Sequence, residues 1–298
     1  MRILITGATG FIGQHLVNKL LDEEHELILY VRSPSKAFSL FANRCSIIEY
    51  LDDINLKRLP DVVINLAGEP IADKRWNESR KRKLLESRVD YTQQLVDWLA
   101  SHVPHLKVFI SGSAIGYYGS HQAAVKLDED SEPQQCFTYE LCQQWEQQAL
   151  AMAKLGARVC LLRTGIVLGN GGALSKMLPA FRCGFGGPIA TGEQVMSWIH
   201  IDDATAAIIF ILNNERITGA VNITAPAPVS NQTFSSELGR VLNRPVWFRV
   251  PEFVIKLMLG EGATLLIEGQ QVIPQKLLDH HFKFTYPELS AALKDCCK

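Results

Sequence analysis

The chain opens with a strand, a glycine-rich turn and a helix, and this opening restricts the fold more than any other feature. The apolar run Ile3–Thr6 leads into Gly7, Gly10 and Gly13, and a helical pattern follows from His15. Glycines allow a tight turn, a close approach of the backbone to a pyrophosphate, and tight packing of the helix on its strand. The N–H groups that start the helix would hold the phosphates. We therefore predict a dinucleotide site here, with a plain strand–turn–helix as the alternative.

Apolar segments alternate with segments of helical spacing as far as about residue 170. The strand candidates are Ile3–Thr6, Leu27–Val31, Ser46–Tyr50, Val62–Leu66, Lys107–Ser111 and Ala157–Arg163. Near-continuous apolar strands are typical of a parallel sheet that helices cover on both faces. The predicted fold is α/β, a Rossmann-type doubly wound parallel sheet, and its ligands should bind at the carboxyl ends of the strands.

The regular alternation of apolar and helical segments ends after residue 168. Glycines interrupt residues 169–192, which predicts a long loop beside the site. The tail reads as a small mixed α/β lobe that folds over the sheet edge on the substrate side. The predicted division is a dinucleotide-binding domain of residues 1–168, to which residues 195–225 contribute, and a substrate-side loop and C-terminal lobe of residues 169–194 and 226–298.

Composition excludes several classes of function. The formal net charge is −1 and no long basic run occurs, so we expect neither a nucleic-acid nor a membrane partner. The 7 cysteines show no C-x-x-C spacing, which predicts reduced thiols and no metal site. The first residues already form a strand, and no apolar run reaches the roughly 18 residues of a membrane span. We predict a cytoplasmic monomer or homodimer that acts on a small molecule.

The residues after the second strand indicate which dinucleotide is bound. An acidic residue here would accept a hydrogen bond from the ribose 2′-hydroxyl of NAD, whereas an arginine can neutralise a 2′-phosphate. The chain has Arg32, followed by the hydroxyl of Ser33. This pattern favours NADP, and a surface arginine in a connecting loop is the alternative.

The other predicted cofactor residues follow the ends of neighbouring strands. Small residues after the fourth strand let the backbone run close to the dinucleotide, and Glu69 could bond a ribose hydroxyl or cap the next segment. The full predicted set is Gly7, Thr9, Gly10, Phe11, Ile12, Gly13, Arg32, Ser33, Leu66, Ala67, Gly68, Glu69, Arg75, Thr164 and Ile166.

Four stretches carry a resemblance to a known superfamily. Residues Thr6–Gly13, Asn65–Gly68, Ser111–Ala114 and Trp198–Asp203 resemble, in order and spacing, the extended short-chain dehydrogenase/reductases. The longer stretches 65–76 and 111–119 are similar to the YfcH-type "epimerase family protein" subfamily, an atypical branch with its own short C-terminal domain. The resemblance covers essentially the whole chain.

The resemblance implies a catalytic Ser or Thr after the middle strand and a Tyr-x-x-x-Lys pair. In that pair the lysine lowers the tyrosine pKa so that the phenol can move a proton. Ser113 matches the first position, but no Tyr-x-x-x-Lys occurs in the segment expected to hold it. One alignment puts Thr138 and Cys142 at the two positions, and another puts Tyr139 and Gln143 there.

Three tyrosines could supply the missing proton donor. Tyr139 belongs to the second alignment, and Tyr117 and Tyr118 follow the middle strand, where aromatic packing around the nicotinamide is the alternative. Cys142 as a nucleophile is the less favoured interpretation, because a helical cysteine among apolar residues is more often a buried hydrophobe.

The reaction predicted from these residues is hydride transfer between NADP(H) and a small hydroxyl- or carbonyl-bearing substrate, by an oxidoreductase or epimerase. Family members that act on nucleotide sugars usually carry an arginine where this chain has Met196, and Arg182 could supply that charge instead. His200, Asp202 and Asp203 could be a metal cluster, but an N-cap by one of the aspartates is preferred. A non-catalytic NADP(H)-binding sensor or scaffold is the alternative function.

Overall fold

The computed structural model describes residues 1–121 and 125–298. The strands are β1 (Arg2–Thr6), β2 (Glu26–Tyr30), β3 (Ser46–Ile48), β4 (Val62–Asn65), β5 (Val108–Ala114), β6 (Lys126–Leu127), β7 (Arg158–Thr164), β8 (Ile166–Leu168), β9 (Val195–Met196), β10 (Trp198–His200), β11 (Gly219–Ile223), β12 (Val229–Ser230) and β13 (Gln271–Val272). The helices are α1 (Phe11–Asp22), α2 (Pro34–Phe41), α3 (Glu78–Leu85), α4 (Tyr91–His102), α5 (Phe137–Leu150), α6 (Gly172–Arg182), α7 (Ile201–Asn213), α8 (Asn231–Leu242), α9 (Glu252–Leu259), α10 (Thr264–Ile267), α11 (Gln275–Asp279) and α12 (Leu289–Cys296).

Seven strands form one parallel sheet in the order β11–β7–β5–β4–β1–β2–β3. The chain runs outward from β1 through β2 to β3, and then returns to place β4 on the other side of β1. The strand order therefore reverses between β1 and β4, and a crevice opens there at the carboxyl ends of the strands. The predicted Rossmann-type α/β fold is confirmed.

Two apolar cores cover the two faces of this sheet. Along β1, Ile3 and Ile5 join the core that contains Leu16 of α1, whereas Leu4 joins the core that contains Leu99 of α4. The alternation follows from the strand period of two, which sends successive side chains to opposite faces. Each buried Leu or Ile contributes roughly 1.5–3 kcal/mol relative to its exposed state. The two packed cores thus fix the positions of the strands, and with them the turns that follow the strand ends.

The segment predicted as a long loop contains a helix, and that prediction is wrong over residues 172–182. Leu174, Leu178 and Phe181 have helical spacing and are buried in a third core, which α6 shares with α8 and α12. The glycines mark the ends of the helix rather than a loop: Gly171 is its N-cap, and Gly184 just beyond its end has φ +76°.

No helix among the described residues is both long and apolar enough to cross a bilayer.

Candidate functional site

The turn between β1 and α1 requires glycine for steric reasons. Gly7 has φ +69°, and a Cβ built on it would lie 2.4 Å from the carbonyl oxygen of Leu66. A Cβ on Gly13 would lie 2.2 Å from the carbonyl oxygen of Gly7. Leu66 directly follows β4, so this turn lies against the end of the neighbouring strand. The glycine spacing read from the sequence therefore serves a compact turn at the crevice.

The N-terminus of α1 is free to receive an anion. Its N-cap is Gly10, which has no side chain to bond the first N–H groups, and its first turn carries no acidic residue. Thr9 uses its carbonyl to accept a hydrogen bond from the Gln14 amide, at 2.9 Å, which holds the turn in place. Phe11 and Ile12 begin the helix, and both side chains are half-buried.

Glycines 169, 171 and 172 surround the ring of Phe11. A Cβ on Gly169, Gly171 or Gly172 would lie 2.7–3.0 Å from a ring carbon of Phe11. The glycine-rich stretch after β8 therefore packs closely against this ring at the start of α1. The sequence showed the glycines, but their contact with Phe11 depends on the approach of two distant segments.

A buried hydrogen-bond network ties together the ends of β1, β4 and β5. Thr6 Oγ1 donates to Asn65 Oδ1 at 2.7 Å, and the N–H of Ala67 donates to Thr6 Oγ1 at 3.2 Å. Asn65 Nδ2 donates in turn to Thr92 Oγ1 at 2.9 Å and to Ser111 Oγ at 3.2 Å. These bonds hold the backbone after β4 close to the turn after β1.

Arg32 lies in the loop after β2, where its side chain is 86% exposed. Its Nη1 lies 3.1 Å from Glu69 Oε1, and the other oxygen of Glu69 lies 3.5 Å from Nη1 of the buried Arg80. The hydrogen bond from Arg32 holds the pKa of Glu69 below its ordinary value. Glu69 is therefore a charged partner that orients Arg32. The neighbouring Ser33 hydroxyl lies 3.2 Å from that of Ser35.

Three buried polar side chains meet at the ends of β5 and β7. Ser113 Oγ donates to Glu146 Oε1 at 2.6 Å. Arg163 donates to both oxygens of that carboxylate, through Nε at 2.9 Å and Nη2 at 3.0 Å. Each of the three residues is only 5% exposed. Sequence reasoning missed both Arg163 and Glu146 as site residues, although a cation that ends an apolar strand was a visible signal for Arg163.

Tyr118 is fully buried and its hydroxyl is occupied. It donates to Asn222 Oδ1 at 2.7 Å and accepts from Arg163 Nη1 at 3.1 Å. Burial raises the pKa of Tyr118 to about 12. The hydroxyl of Tyr118 thus anchors Arg163, and a catalytic role for this residue stays a prediction.

Tyr117 is half-buried, and the guanidinium carbon of Arg163 lies 3.4 Å from the centre of its ring. Burial raises the pKa of Tyr117 and the charge of Arg163 opposes that rise, so the phenol is neutral at pH 7. The ring of Tyr139 meets that of Tyr117 edge-on, with 5.4 Å between centres, and the Tyr139 hydroxyl accepts from Gln143 Nε2 at 2.7 Å. Tyr117 is the more accessible of the three tyrosines.

One face of α5 lies against the end of β5. On it, Cys142 Sγ is 3.7 Å from the Ala114 carbonyl oxygen, and a Cβ on Gly116 would lie 3.0 Å from Thr138 Cβ. Thr138 and Cys142, the pair of the first alignment, thus both face the segment that ends β5, and the choice between the two alignments stays a prediction. Burial raises the pKa of Cys142 to about 12, so it is a neutral thiol rather than a nucleophile.

The remaining predicted cofactor residues have other partners in the structure. Arg75 reaches the C-terminal segment, where Nη1 donates to the Leu257 carbonyl at 3.2 Å. Thr164 Oγ1 donates to the carbonyl of Leu162 at 3.2 Å, and Ile166 begins β8. A role for these three in binding a cofactor stays a prediction.

The helix after β10 is capped differently from the prediction. His200 is the N-cap of α7, because its Nδ1 accepts the N–H of Asp202 at 3.1 Å. Asp203 instead accepts the N–H groups of Thr285 and Tyr286, each at 2.8 Å, and so holds the C-terminal segment. Neither aspartate is the cap, because the helix starts two residues earlier than a cap at Asp202 would place it.

His200, Asp202 and Asp295 place possible metal ligands within 4.8 Å of one another. Each carboxylate already has a lysine partner: Lys19 Nζ lies 3.2 Å from Asp202 and Lys298 Nζ lies 2.7 Å from Asp295. Burial also lowers the pKa of His200. The lysines compensate the charges of both carboxylates, so we interpret this cluster as two ion pairs near the start of α7.

Comparison with known proteins identifies the family. Residues 3–224 match the NAD dependent epimerase/dehydratase family, and residues 250–296 match a domain of unknown function, DUF1731. The "Epimerase family protein SDR39U1 homolog, chloroplastic" of Arabidopsis thaliana is 39% identical over 99% of this chain and 86% of its own length. "Epimerase family protein SDR39U1" of Mus musculus is 37% identical over 99% of each chain.

A solved structure extends the similarity to three dimensions. The crystal structure of human epimerase family protein SDR39U1 (isoform2) with NADPH is 34% identical, covers 99% of each chain and has a TM-score of 0.89. This chain therefore belongs to the NAD-dependent epimerase/dehydratase family, the extended short-chain dehydrogenase/reductases, and carries a DUF1731 segment at its C-terminus. The resemblance predicted from the motifs is confirmed.

Proposed function

We propose that this member of the family binds NADP(H) and moves a hydride to or from a small substrate that bears a hydroxyl or carbonyl group. One juxtaposition carries the proposal. The uncapped start of α1 follows β1, and the hydroxyl of Ser113 stands near the carboxyl end of β5; only β4 lies between these two strands, and the strand order reverses between β1 and β4. Such a crevice is where parallel sheets bind dinucleotides.

The residues present fit NADP. The first N–H groups of α1 have no side-chain cap among the described residues and suit a pyrophosphate. Because Gly7 has no Cβ to meet Leu66, the turn can be tight enough for the backbone to approach the phosphates closely. Arg32 donates one N–H to Glu69, and the other N–H groups of its exposed guanidinium can donate to a 2′-phosphate. The human relative, whose structure contains NADPH, supports the same assignment.

When bound, a nicotinamide ring supplies hydride transfer at its C4 atom. Because Ser113 already donates its proton to Glu146, its oxygen is left to accept a hydrogen bond from a substrate hydroxyl. Arg163 holds the carboxylate in place with two hydrogen bonds. The neutral phenol of Tyr117 is suited to donate a proton to a substrate carbonyl oxygen. Ser113 and Tyr117 are thus our catalytic candidates, and Glu146 and Arg163 position them.

The exposed Arg32 tests the choice of cofactor. Arg32→Ala should weaken NADPH binding by about 1–3 kcal/mol, the value of a charge-assisted hydrogen bond, and leave NADH binding nearly unchanged. Fluorescence titration of cofactor-free protein with each dinucleotide measures both affinities. Arg58→Ala is the matched control, because Arg58 is also exposed and also pairs with a glutamate, Glu26, at 2.8 Å. Equal NADPH affinity in the two variants would remove the argument for NADP.

Ser113 tests the hydride transfer itself. Ser113→Ala should lower the oxidation of any alcohol substrate found in a screen by roughly 10²–10⁴-fold while leaving NADPH affinity intact, because alanine cannot accept the hydrogen bond from the substrate hydroxyl. Ser235→Ala serves as the control, because Ser235 is also buried and its hydroxyl has no hydrogen-bond partner among the described residues. Unchanged turnover, or lost NADPH affinity, in Ser113→Ala would contradict the proposed role.

A non-catalytic NADP(H) sensor or scaffold is the second candidate. It is favoured by the hydroxyl of Tyr118, which already donates to Asn222 and accepts from Arg163, and by a Ser113 proton already committed to Glu146. Tight, selective NADPH binding with no hydride transfer to any carbonyl or from any alcohol would support this candidate over the enzyme.

Two finer predictions complete the proposal. The first is a nucleotide sugar as substrate. Met196, which stands where nucleotide-sugar enzymes usually carry an arginine, accepts a hydrogen bond from Asn231 Nδ2 through its sulfur at 3.2 Å. Arg182, which would pair with the substrate diphosphate instead, is exposed at the end of α6. We keep the cytoplasm as the predicted location. The Arabidopsis relative is named as chloroplastic.

A further inference from the structure

Six large apolar side chains near the C-terminal segment face solvent, and we call them the C-terminal apolar surface. Their exposure lies between 53% for Phe248 and 83% for Trp247. The six are Phe185, Trp247, Phe248, Phe253, Leu257 and Met258. Exposed apolar patches rimmed by polar residues mark interaction sites in otherwise soluble folds.

The surface is continuous because two segments run side by side. The rings of Phe185 and Phe248 have centres 5.9 Å apart. The N–H of Val250 donates to the Pro188 carbonyl at 2.8 Å, and the N–H of Ala190 donates to the Val250 carbonyl at 2.9 Å. These bonds hold Trp247 and Phe248 beside the stretch that follows α6.

Helix α9 continues the surface. Phe253 and Leu257 are four residues apart and lie on one side of the helix, and Met258 is exposed next to Leu257 along the chain. Ile255, on the other side, is buried. A helix of this kind has two apolar sides, and the protein covers only one of them. Among the described residues, nothing covers the side of α9 that carries Phe253 and Leu257.

Basic side chains rim this surface. Arg244 donates to the Arg182 carbonyl at 2.8 Å, Arg249 to the Ala190 carbonyl at 2.8 Å, and Arg75 to the Leu257 carbonyl at 3.2 Å. Within residues 1–121 and 125–298, none of these three donating arginines is in an ion pair, so their charges stay uncompensated. Lys256 adds a further cation, although Glu252 pairs with it at 2.6 Å.

We propose that the C-terminal apolar surface binds the face of an anionic lipid bilayer. Aromatic and aliphatic side chains would enter the interface, while the arginines bind headgroup phosphates. A second copy is disfavoured because an isologous contact would place one positive rim against another. The net charge of −1, from which we predicted no membrane partner, averages over the whole chain, whereas the fold gathers positive charge on this surface.

Vesicle co-sedimentation of the full chain tests the proposal. Wild type should pellet with vesicles of phosphatidylcholine and phosphatidylglycerol, bind phosphatidylcholine alone more weakly, and lose the difference as salt is raised. Combining Trp247→Ser, Phe253→Ser and Leu257→Ser should lower vesicle affinity roughly tenfold or more. Combining Arg244→Gln with Arg249→Gln, which removes two of the three uncompensated arginine charges, should weaken the preference for phosphatidylglycerol.

The matched control replaces Phe38 and Leu40 with serine, because these two apolar residues are also exposed but lie in α2. NADPH affinity and thermal unfolding show that each variant is folded, so the test is independent of the proposed enzyme activity. The proposal is overturned if wild type stays in solution with both vesicle types, or if the control loses as much binding as the triple variant. It is also overturned if wild type ignores vesicles but forms a dimer that the triple variant abolishes.

Discussion

Glu146→Gln should destabilise the protein by about 3–5 kcal/mol, because it leaves the charge of Arg163 buried without a partner. In the native structure the carboxylate accepts two hydrogen bonds from Arg163 and one from Ser113. Glutamine keeps the shape of the side chain but loses the charge and one acceptor. Urea unfolding of wild type and variant measures the change in the free energy of unfolding.

Two controls separate the buried charge from general disturbance. Combining Glu146→Leu with Arg163→Met should recover much of the lost stability, since apolar pairs often replace buried ion pairs at little cost. Asp22→Asn breaks an exposed pair with Arg44, at 3.3 Å, and should change the free energy by no more than about 1 kcal/mol. A loss in Glu146→Gln no larger than that of Asp22→Asn would contradict the buried network.

Gly7→Ala should cost the protein several kcal/mol, about 3 or more, and abolish measurable NADPH binding. The alanine must adopt φ +69°, and its Cβ would stand 2.4 Å from the Leu66 carbonyl oxygen, well inside van der Waals contact. Either the turn or the end of β4 must move, and both belong to the proposed cofactor site. Thermal unfolding and NADPH titration measure the two effects.

Gly156→Ala is the control for backbone strain alone. Gly156 has φ +87°, yet a Cβ there would meet nothing within 4 Å. It should lose about 1–2 kcal/mol, the cost of the left-handed conformation, and keep its NADPH affinity. If Gly7→Ala behaves like Gly156→Ala, then the close approach to Leu66 has no part in binding.

Much of the cofactor site was predictable because its signals are local. The glycine spacing after β1, the alternation of strands and helices, and Arg32 after β2 all lie within short stretches of chain. The proposed catalytic region was harder to predict, since Tyr118 and Tyr139 are as plausible as Tyr117 in sequence. Only the structure shows that the Tyr118 hydroxyl donates to Asn222 and accepts from Arg163, whereas the Tyr139 hydroxyl accepts from Gln143 and keeps its proton.

The fold class, the family and the position of the proposed dinucleotide turn follow from patterns in the sequence. Strand and helix periods, and the sterics of glycine, act between neighbouring residues and can be read directly. The buried cluster of Ser113, Glu146 and Arg163, and the single exposed surface formed by residues near 185 and 250, depend instead on tertiary contacts. Those contacts join residues that are far apart in the chain, and the order in which the strands pair selects them.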